Sequence, residues 1–149
     1  MPLDKFKHRV QVRVRNYEVD WQGIVHNANY LLYFEVGRIE YLRNLGVSLD
    51  FGSVRDTSRI VLARNEVDYR SSAMFDDLLN VHTRISYIRR TSFAFEGLIE
   101  EAESGRVIAE NTAVHVWLDS STGEPTLVAT DFRQKVQAFE GIEVDVLSF

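Results

Sequence analysis

The chain has 149 residues, 45% hydrophobic and 26% charged, a balance that predicts a single domain over residues 1–149 with a core of ordinary size. A net charge of −5, from 17 Lys and Arg against 22 Asp and Glu, argues against a general nucleic-acid binder, which needs excess positive charge to displace counterions. The absence of Cys excludes disulfides, thiolate nucleophiles and Cys-based zinc sites. It suits a reducing cytoplasm, the location also expected because MPLDKFKHRV lacks a signal-peptide apolar run and no stretch reaches transmembrane length.

From Arg9 to Arg15 the sequence alternates strictly, with Val10, Val12 and Val14 on one face and Arg9, Gln11, Arg13 and Arg15 on the other. Period two predicts a half-buried strand. The polar row is read as a solvated sheet face in preference to a phosphate-binding stripe.

The stretch DWQGIVHNANY, Asp20 to Tyr30, then gathers an acid, a Gly, a His and two Asn where the strand gives way to a helix. Helical periodicity runs from Ala28 to Leu45, with apolar residues over most of the circumference, so the helix is expected to be buried on several sides. Asn27 is the expected N-cap, and Gly46 is placed to take the left-handed position after the last turn. At about 1.5 Å per residue the helix spans roughly 27 Å, enough to serve as the axis of a sheet.

A polar loop is expected from Asp50 to Arg59, followed by strands at Ile60–Tyr69, Leu78–Arg89, Ser92–Glu101 and Arg106–Leu118, separated by turn signals. Thr130 to Phe139 reads as a short amphipathic helix capped by Thr130 or Asp131. The order predicts an α+β domain, a five-stranded antiparallel sheet wrapped around one long central helix. One helix covers only part of such a sheet, so the free edges call for a homodimer or homotetramer with sheets joined edge to edge.

The chain has no GxSxG elbow, HExxH, Walker loop or GxGxxG; GVSLD at Gly46 lacks the second Gly of a serine elbow and follows a helix. His8, His26, His82 and His115 have no metal-ligand spacing, and His82 and His115, in strand patterns, are read as structural. No metal or cofactor is expected. Carboxylates, amides and backbone remain. Gly23 permits a tight turn with close approach to a ligand, and the first N–H groups of the helix favour an oxyanion. Asp20 beside such donors is a minimal hydrolytic site, while capping alone is the simpler use of these residues.

In this order the motifs resemble the hotdog-fold acyl-CoA thioesterases of the 4-hydroxybenzoyl-CoA thioesterase family over nearly the whole chain. Asp20, Gly23, Val25 and Tyr30 match the first motif, and Phe34, Glu35 and Arg38 its helix continuation. VDYRSSAMFDDLLNVHT, RRTSFAFEG and AENTAVHVWLDSSTGEP match later blocks.

The resemblance implies a hotdog fold and hydrolysis of an acyl-CoA to free acid and CoA. Asp20 would be the catalytic base or nucleophile, and the N–H of Asn27, a position often His or Tyr in relatives, the oxyanion donor. It also implies substrate binding around Gly23 and His26, with Arg89, Arg90 and Ser92 near the CoA nucleotide. Arg binds phosphate through forked hydrogen bonds, but adjacent residues at a strand end point to opposite sides. Glu35 is the alternative acid, as in another hotdog branch, although an ion pair with Arg38 at i,i+3 is the preferred reading. Tyr30 and Tyr33 either line the acyl pocket or simply pack, and packing is the preferred reading. A non-catalytic acyl-CoA or acyl-carrier binding module is the alternative function, with a hotdog hydratase behind it.

Overall fold

The structure is a computed structural model that describes residues 1–47 and 58–146. The expected polar loop at 50–59 and Ser48 of GVSLD lie outside the described residues, apart from the loop's last two positions. In chain order the main elements are β1 (His8–Arg13), α1 (Asn27–Asn44), β2 (Ser58–Tyr69), β3 (Leu78–Ile88), β4 (Ser92–Glu101), β5 (Val107–Asp119), α2 (Thr130–Glu140) and β6 (Asp145–Val146).

The strands form one sheet in the order β1-β3-β4-β5-β2, antiparallel throughout that path. The expected five strands are joined by a sixth: β6 pairs in parallel with the end of β3, continuing the edge where β1 stops. Two residues are too short to show a periodicity, which is why β6 could not be read from the sequence.

Alternation in β1 is as expected, with His8, Val10 and Val12 turned inward, Arg9, Gln11 and Arg13 exposed, and Val14 buried beyond them. Helix α1 lies on one face of the sheet against β1, β3 and β4. It buries Tyr30, Tyr33, Phe34, Gly37 and Tyr41, residues spaced three or four apart along one stripe. The expectation of burial on several sides needs correction within one protomer, because Leu32, Val36 and Ile39 remain exposed. Gly46 has φ 78° and ends the helix in the left-handed region, as expected.

The core has two parts. One joins Tyr30, Tyr33 and Phe34 to Leu79, Val81, Ile99 and Ile108. The other joins Tyr41 to Ile85, Phe93, Phe95, Trp117 and the α2 residues Phe132 and Val136. Contact between α1 and β3 is close enough to require glycine: a Cβ on Gly37 would stand 2.5 Å from Thr83 Oγ1 and 2.8 Å from Val81 Cγ1. Gly37→Ala is therefore expected to lower stability by about 2 kcal/mol in urea unfolding, through overpacking rather than lost contacts.

Candidate active site

The residues after β1 turn sharply before α1 begins. Asp20 N–H donates to the Ile24 carbonyl at 2.8 Å, and Gly23 N–H donates back to the Asp20 carbonyl at 3.0 Å, with Gly23 at φ 81°. Positive φ is why Gly stands there. Gln22 N–H donates to Asp20 Oδ1 at 2.8 Å, leaving the other carboxylate oxygen without a hydrogen bond among the described residues.

Two further segments hold this loop. Ile24 bridges Met74, and Val25 N–H donates to the Ala73 carbonyl at 2.9 Å, tying it to the turn between β2 and β3. On the other side Glu18 joins four groups. Its carbonyl accepts from His26 N–H at 3.0 Å and Asn29 Nδ2 at 2.8 Å, while its Oε1 accepts from Arg15 N–H at 2.8 Å and the Tyr33 hydroxyl at 3.0 Å. Burial and the Glu18 carboxylate push the Tyr33 pKa up, so its hydroxyl stays a donor. Glu18→Ala removes two of these bonds and is expected to cost about 1–2 kcal/mol. Glu18→Gln should recover most of the loss in thermal unfolding, since its carbonyl oxygen still accepts.

The expected cap is corrected by one residue: His26 is the N-cap, and its Nδ1 accepts from Ala28 N–H at 3.1 Å. Asn27 is already helical, so its side chain cannot reach back over the first turn. The His26 carbonyl accepts from Asn29 N–H at 2.9 Å. Asn27 N–H, the first donor of α1, has no acceptor among the described residues. At the far helix, Ala129 takes the N-cap position without a side-chain bond, in place of the expected Thr130 or Asp131.

Asp20 and Asn27 line a common cleft of about 440 Å³, with Ile24 and Tyr30 on their side and Tyr69, Arg70, Ser71 and Ser72 on the other. The second wall comes from the end of β2 and the residues after it. The adjacent hydroxyls of Ser71 and Ser72, within the matched block VDYRSSAMFDDLLNVHT, are the sequence signal for this wall. Tyr30 packs as expected, and its hydroxyl accepts from Ala73 N–H at 3.0 Å, while the Tyr69 hydroxyl donates to the Asn27 carbonyl at 3.3 Å. Burial raises the Tyr30 pKa, and the nearby Asp20 charge acts in the same direction.

Gly23 and His26 belong to the loop but do not line the cleft. Arg89, Arg90 and Ser92 sit at the opposite end of β3, whose 11 residues span roughly 35 Å at about 3.3 Å each. One protomer does not bring them to Asp20. Arg89 pairs with Asp145 at 3.2 Å and stacks over the Tyr87 ring at 4.3 Å, whereas Arg90 is exposed. The expected Glu35–Arg38 ion pair is not closed: Arg38 Nη1 instead donates to Asn111 Oδ1 at 3.4 Å.

Of the strand histidines, His82 is hydrogen-bonded as expected, whereas His115 has a buried Nδ1 without a hydrogen-bond partner among the described residues. His82 Nε2 meets Glu100 Oε1 at 2.9 Å, and His115 stacks on Phe93, its pKa lowered to about 4 by burial and then by the Arg38 charge. Among the described residues no group of three or more His, Cys, Asp or Glu is placed to hold a metal ion, and no helix is long and apolar enough to cross a membrane.

This chain and its architecture have relatives. A thioesterase from Thermus thermophilus, solved with coenzyme A and Zn, superposes with a TM-score of 0.80 at 32% identity, covering 93% of this chain and 98% of that one. The long-chain acyl-CoA thioesterase FadM of Escherichia coli is 26% identical over 129 residues, 87% of this chain and 96% of its own. The chloroplastic acyl-acyl carrier protein thioesterase ATL3 of Arabidopsis thaliana is 29% identical over 132 residues, 89% of this chain and 68% of its own. Residues 14–136, from the end of β1 through most of α2 and so including the whole cleft, match the model of the Thioesterase-like superfamily. The chain belongs to that superfamily and is a thioester hydrolase of hotdog fold.

Proposed function

We propose that the protein hydrolyses an acyl-CoA thioester to free carboxylic acid and CoA, with Asp20 as general base or nucleophile and the Asn27 N–H as oxyanion donor. The observation that carries this reading is the pairing, in one cleft, of a half-buried carboxylate and a helix-start N–H that no described residue uses. As base, Asp20 takes a proton from water, whose oxygen attacks the carbonyl carbon. The C–S bond then breaks and the CoA thiolate leaves, while the N–H holds the negative oxygen between these steps. As nucleophile, Asp20 forms a mixed anhydride that water opens. A thiolate leaves without a strong acid, so no third catalytic group is required.

The acyl-CoA names of relatives support this substrate class, and the acyl-carrier relative marks the nearest alternative thioester. Gly23 supports the substrate through the turn. His26 does so by anchoring the helix start, its capping Nδ1 leaving Nε2 as the donor. Arg89, Arg90 and Ser92 receive the CoA nucleotide from a site on a second copy, because their distance from Asp20 within one chain is too long for one protomer to use both. The working form is thus a homo-oligomer, and its place is the cytoplasm.

Thiol release from short, long and aromatic acyl-CoAs, and from an acyl-carrier thioester, tests the proposal. Turnover of an acyl-CoA supports it. Tight binding of acyl-CoA without release would establish the binding module instead.

A further inference from the structure

The polar row of β1 has no part in the proposed chemistry, and the fold divides it. Gln11 Nε2 donates to Asn80 Oδ1 at 3.0 Å and so belongs to the sheet. Arg13 Nη1 donates to a main-chain acceptor, the Asp76 carbonyl, at 2.9 Å. Neither Arg13 nor Arg15 has an ion pair among the described residues, and both are exposed. Exposure alone would leave them two solvated side chains.

They line a second cleft, however, of about 390 Å³, formed where the edge strand β1 meets α1. It shares no lining residue with the Asp20 cleft. Its volume lies within the roughly 300–1,000 Å³ typical of small-molecule sites. Leu32 and Val36, one helical turn apart on α1 and 56% and 41% exposed, give it an apolar wall, with Val12 on the strand side. Glu18 is the one acid in its lining, and its Oε1 already accepts from Arg15 N–H at 2.8 Å and from the Tyr33 hydroxyl at 3.0 Å. Two unpaired guanidiniums against one occupied carboxylate leave the cleft attractive to an anion.

We propose that this second cleft binds the free carboxylic acid released by thioester hydrolysis, with Arg13 and Arg15 on the carboxylate and the hydrocarbon against Leu32 and Val36. Forked hydrogen bonds match a guanidinium to a carboxylate, and the aliphatic side chains gain by leaving water. An intact thioester has no charge at its acyl carbonyl, so the cleft tells product from substrate. Glu18 and Tyr33 line it, and the Glu18 carbonyl also holds His26 N–H at the start of α1, so an occupant rests against the anchor of the Asp20 loop. The proposal rests on thioester hydrolysis and not on which residue performs it.

Equilibrium dialysis of the full chain against decanoate, kept below the concentration at which it forms micelles, tests this, with circular dichroism as the folding check. Wild type should bind decanoate saturably, and decanol, its neutral counterpart, at least roughly tenfold more weakly. Arg15→Glu should weaken decanoate binding by roughly tenfold or more and Leu32→Asn by about fivefold, while Asp20→Asn should bind within about twofold of wild type. If Arg15→Glu fails to fold, Leu32→Asn at its exposed position decides by the same comparison. Equal binding in wild type and Arg15→Glu would overturn the proposal, as would the absence of saturable binding. Binding lost in Asp20→Asn but kept in Arg15→Glu would overturn it by putting the acid in the Asp20 cleft. None of these outcomes touches the role proposed for Asp20, which is read from the turnover of Asp20→Asn.

Discussion

Asp20→Asn is expected to lower kcat for acyl-CoA hydrolysis by about a thousandfold, in the middle of the range for loss of a positioned acid or base. KM should change little, because Asn keeps the oxygen that accepts from Gln22 N–H and so keeps the turn intact. A structural role for Asp20 predicts the reverse, a loss of stability with modest loss of rate. Single-turnover hydrolysis in ¹⁸O-labelled water separates the two routes. Label entering the Asp20 carboxylate identifies the nucleophile, with water opening the anhydride at Asp20 Cγ, while label found only in the product acid shows that water attacks the acyl carbon. Equal rates in wild type and variant would remove Asp20 from the chemistry.

The largest expected effect on stability lies far from the cleft, at Glu140. This residue is fully buried at the end of α2, where its Oε2 accepts from the Tyr41 hydroxyl at 2.5 Å and from Ile85 N–H at 3.1 Å. Ile85 lies on the β3 edge between the segment paired with β1, which ends at Thr83, and that paired with β6, which starts at Tyr87. The carboxyl group therefore satisfies a backbone donor that neither strand reaches. Lys7 Nζ donates to the Glu140 carbonyl at 2.5 Å and adds β1 to the junction. Glu140→Ala should cost about 3 kcal/mol or more, through two orphaned donors and an emptied buried site.

Its pH dependence has a definite sign. Burial raises the Glu140 pKa above the ordinary 4.5, outweighing the Tyr41, Ile85, Arg84 and Lys7 contributions that lower it. Between 4.5 and the raised value the folded state holds a proton that the unfolded state has released, so this contribution is full below that window and declines as pH rises through it. Glu140→Gln cannot titrate. Its stability should gain on that of wild type as pH rises from about 4 to about 8, measured by urea unfolding at each pH. A constant difference would mean that Glu140 has no shifted titration.

How much of this was legible depended on the range of the forces involved. Alternating valines marked β1, helical spacing marked α1, and Gly46 marked its end, because each pattern is written within a few residues. The failures were also local in appearance but not in cause. Asn27 has the better capping chemistry on paper, yet the chain enters the helix one residue earlier, where the Glu18 carbonyl holds His26 N–H. Glu140 reads as one more charge on an amphipathic helix. Only the junction of β1, β3, α1 and α2 makes it a core residue.

The sequence by itself determined the order of the main elements before β6, the α+β class and the presence of an acid, a turn glycine and a helix start within eight residues. Periodicity and spacing depend on neighbours along the chain, so they are readable there. Tertiary structure alone decided that Tyr69, Arg70, Ser71 and Ser72 form the opposite wall of the Asp20 cleft. It alone separated Arg89, Arg90 and Ser92 from that cleft by the length of β3, and turned Arg38 away from Glu35 to Asn111. These are long-range facts: they arise when strands distant in sequence are brought into register, and no local pattern encodes which side chains then meet.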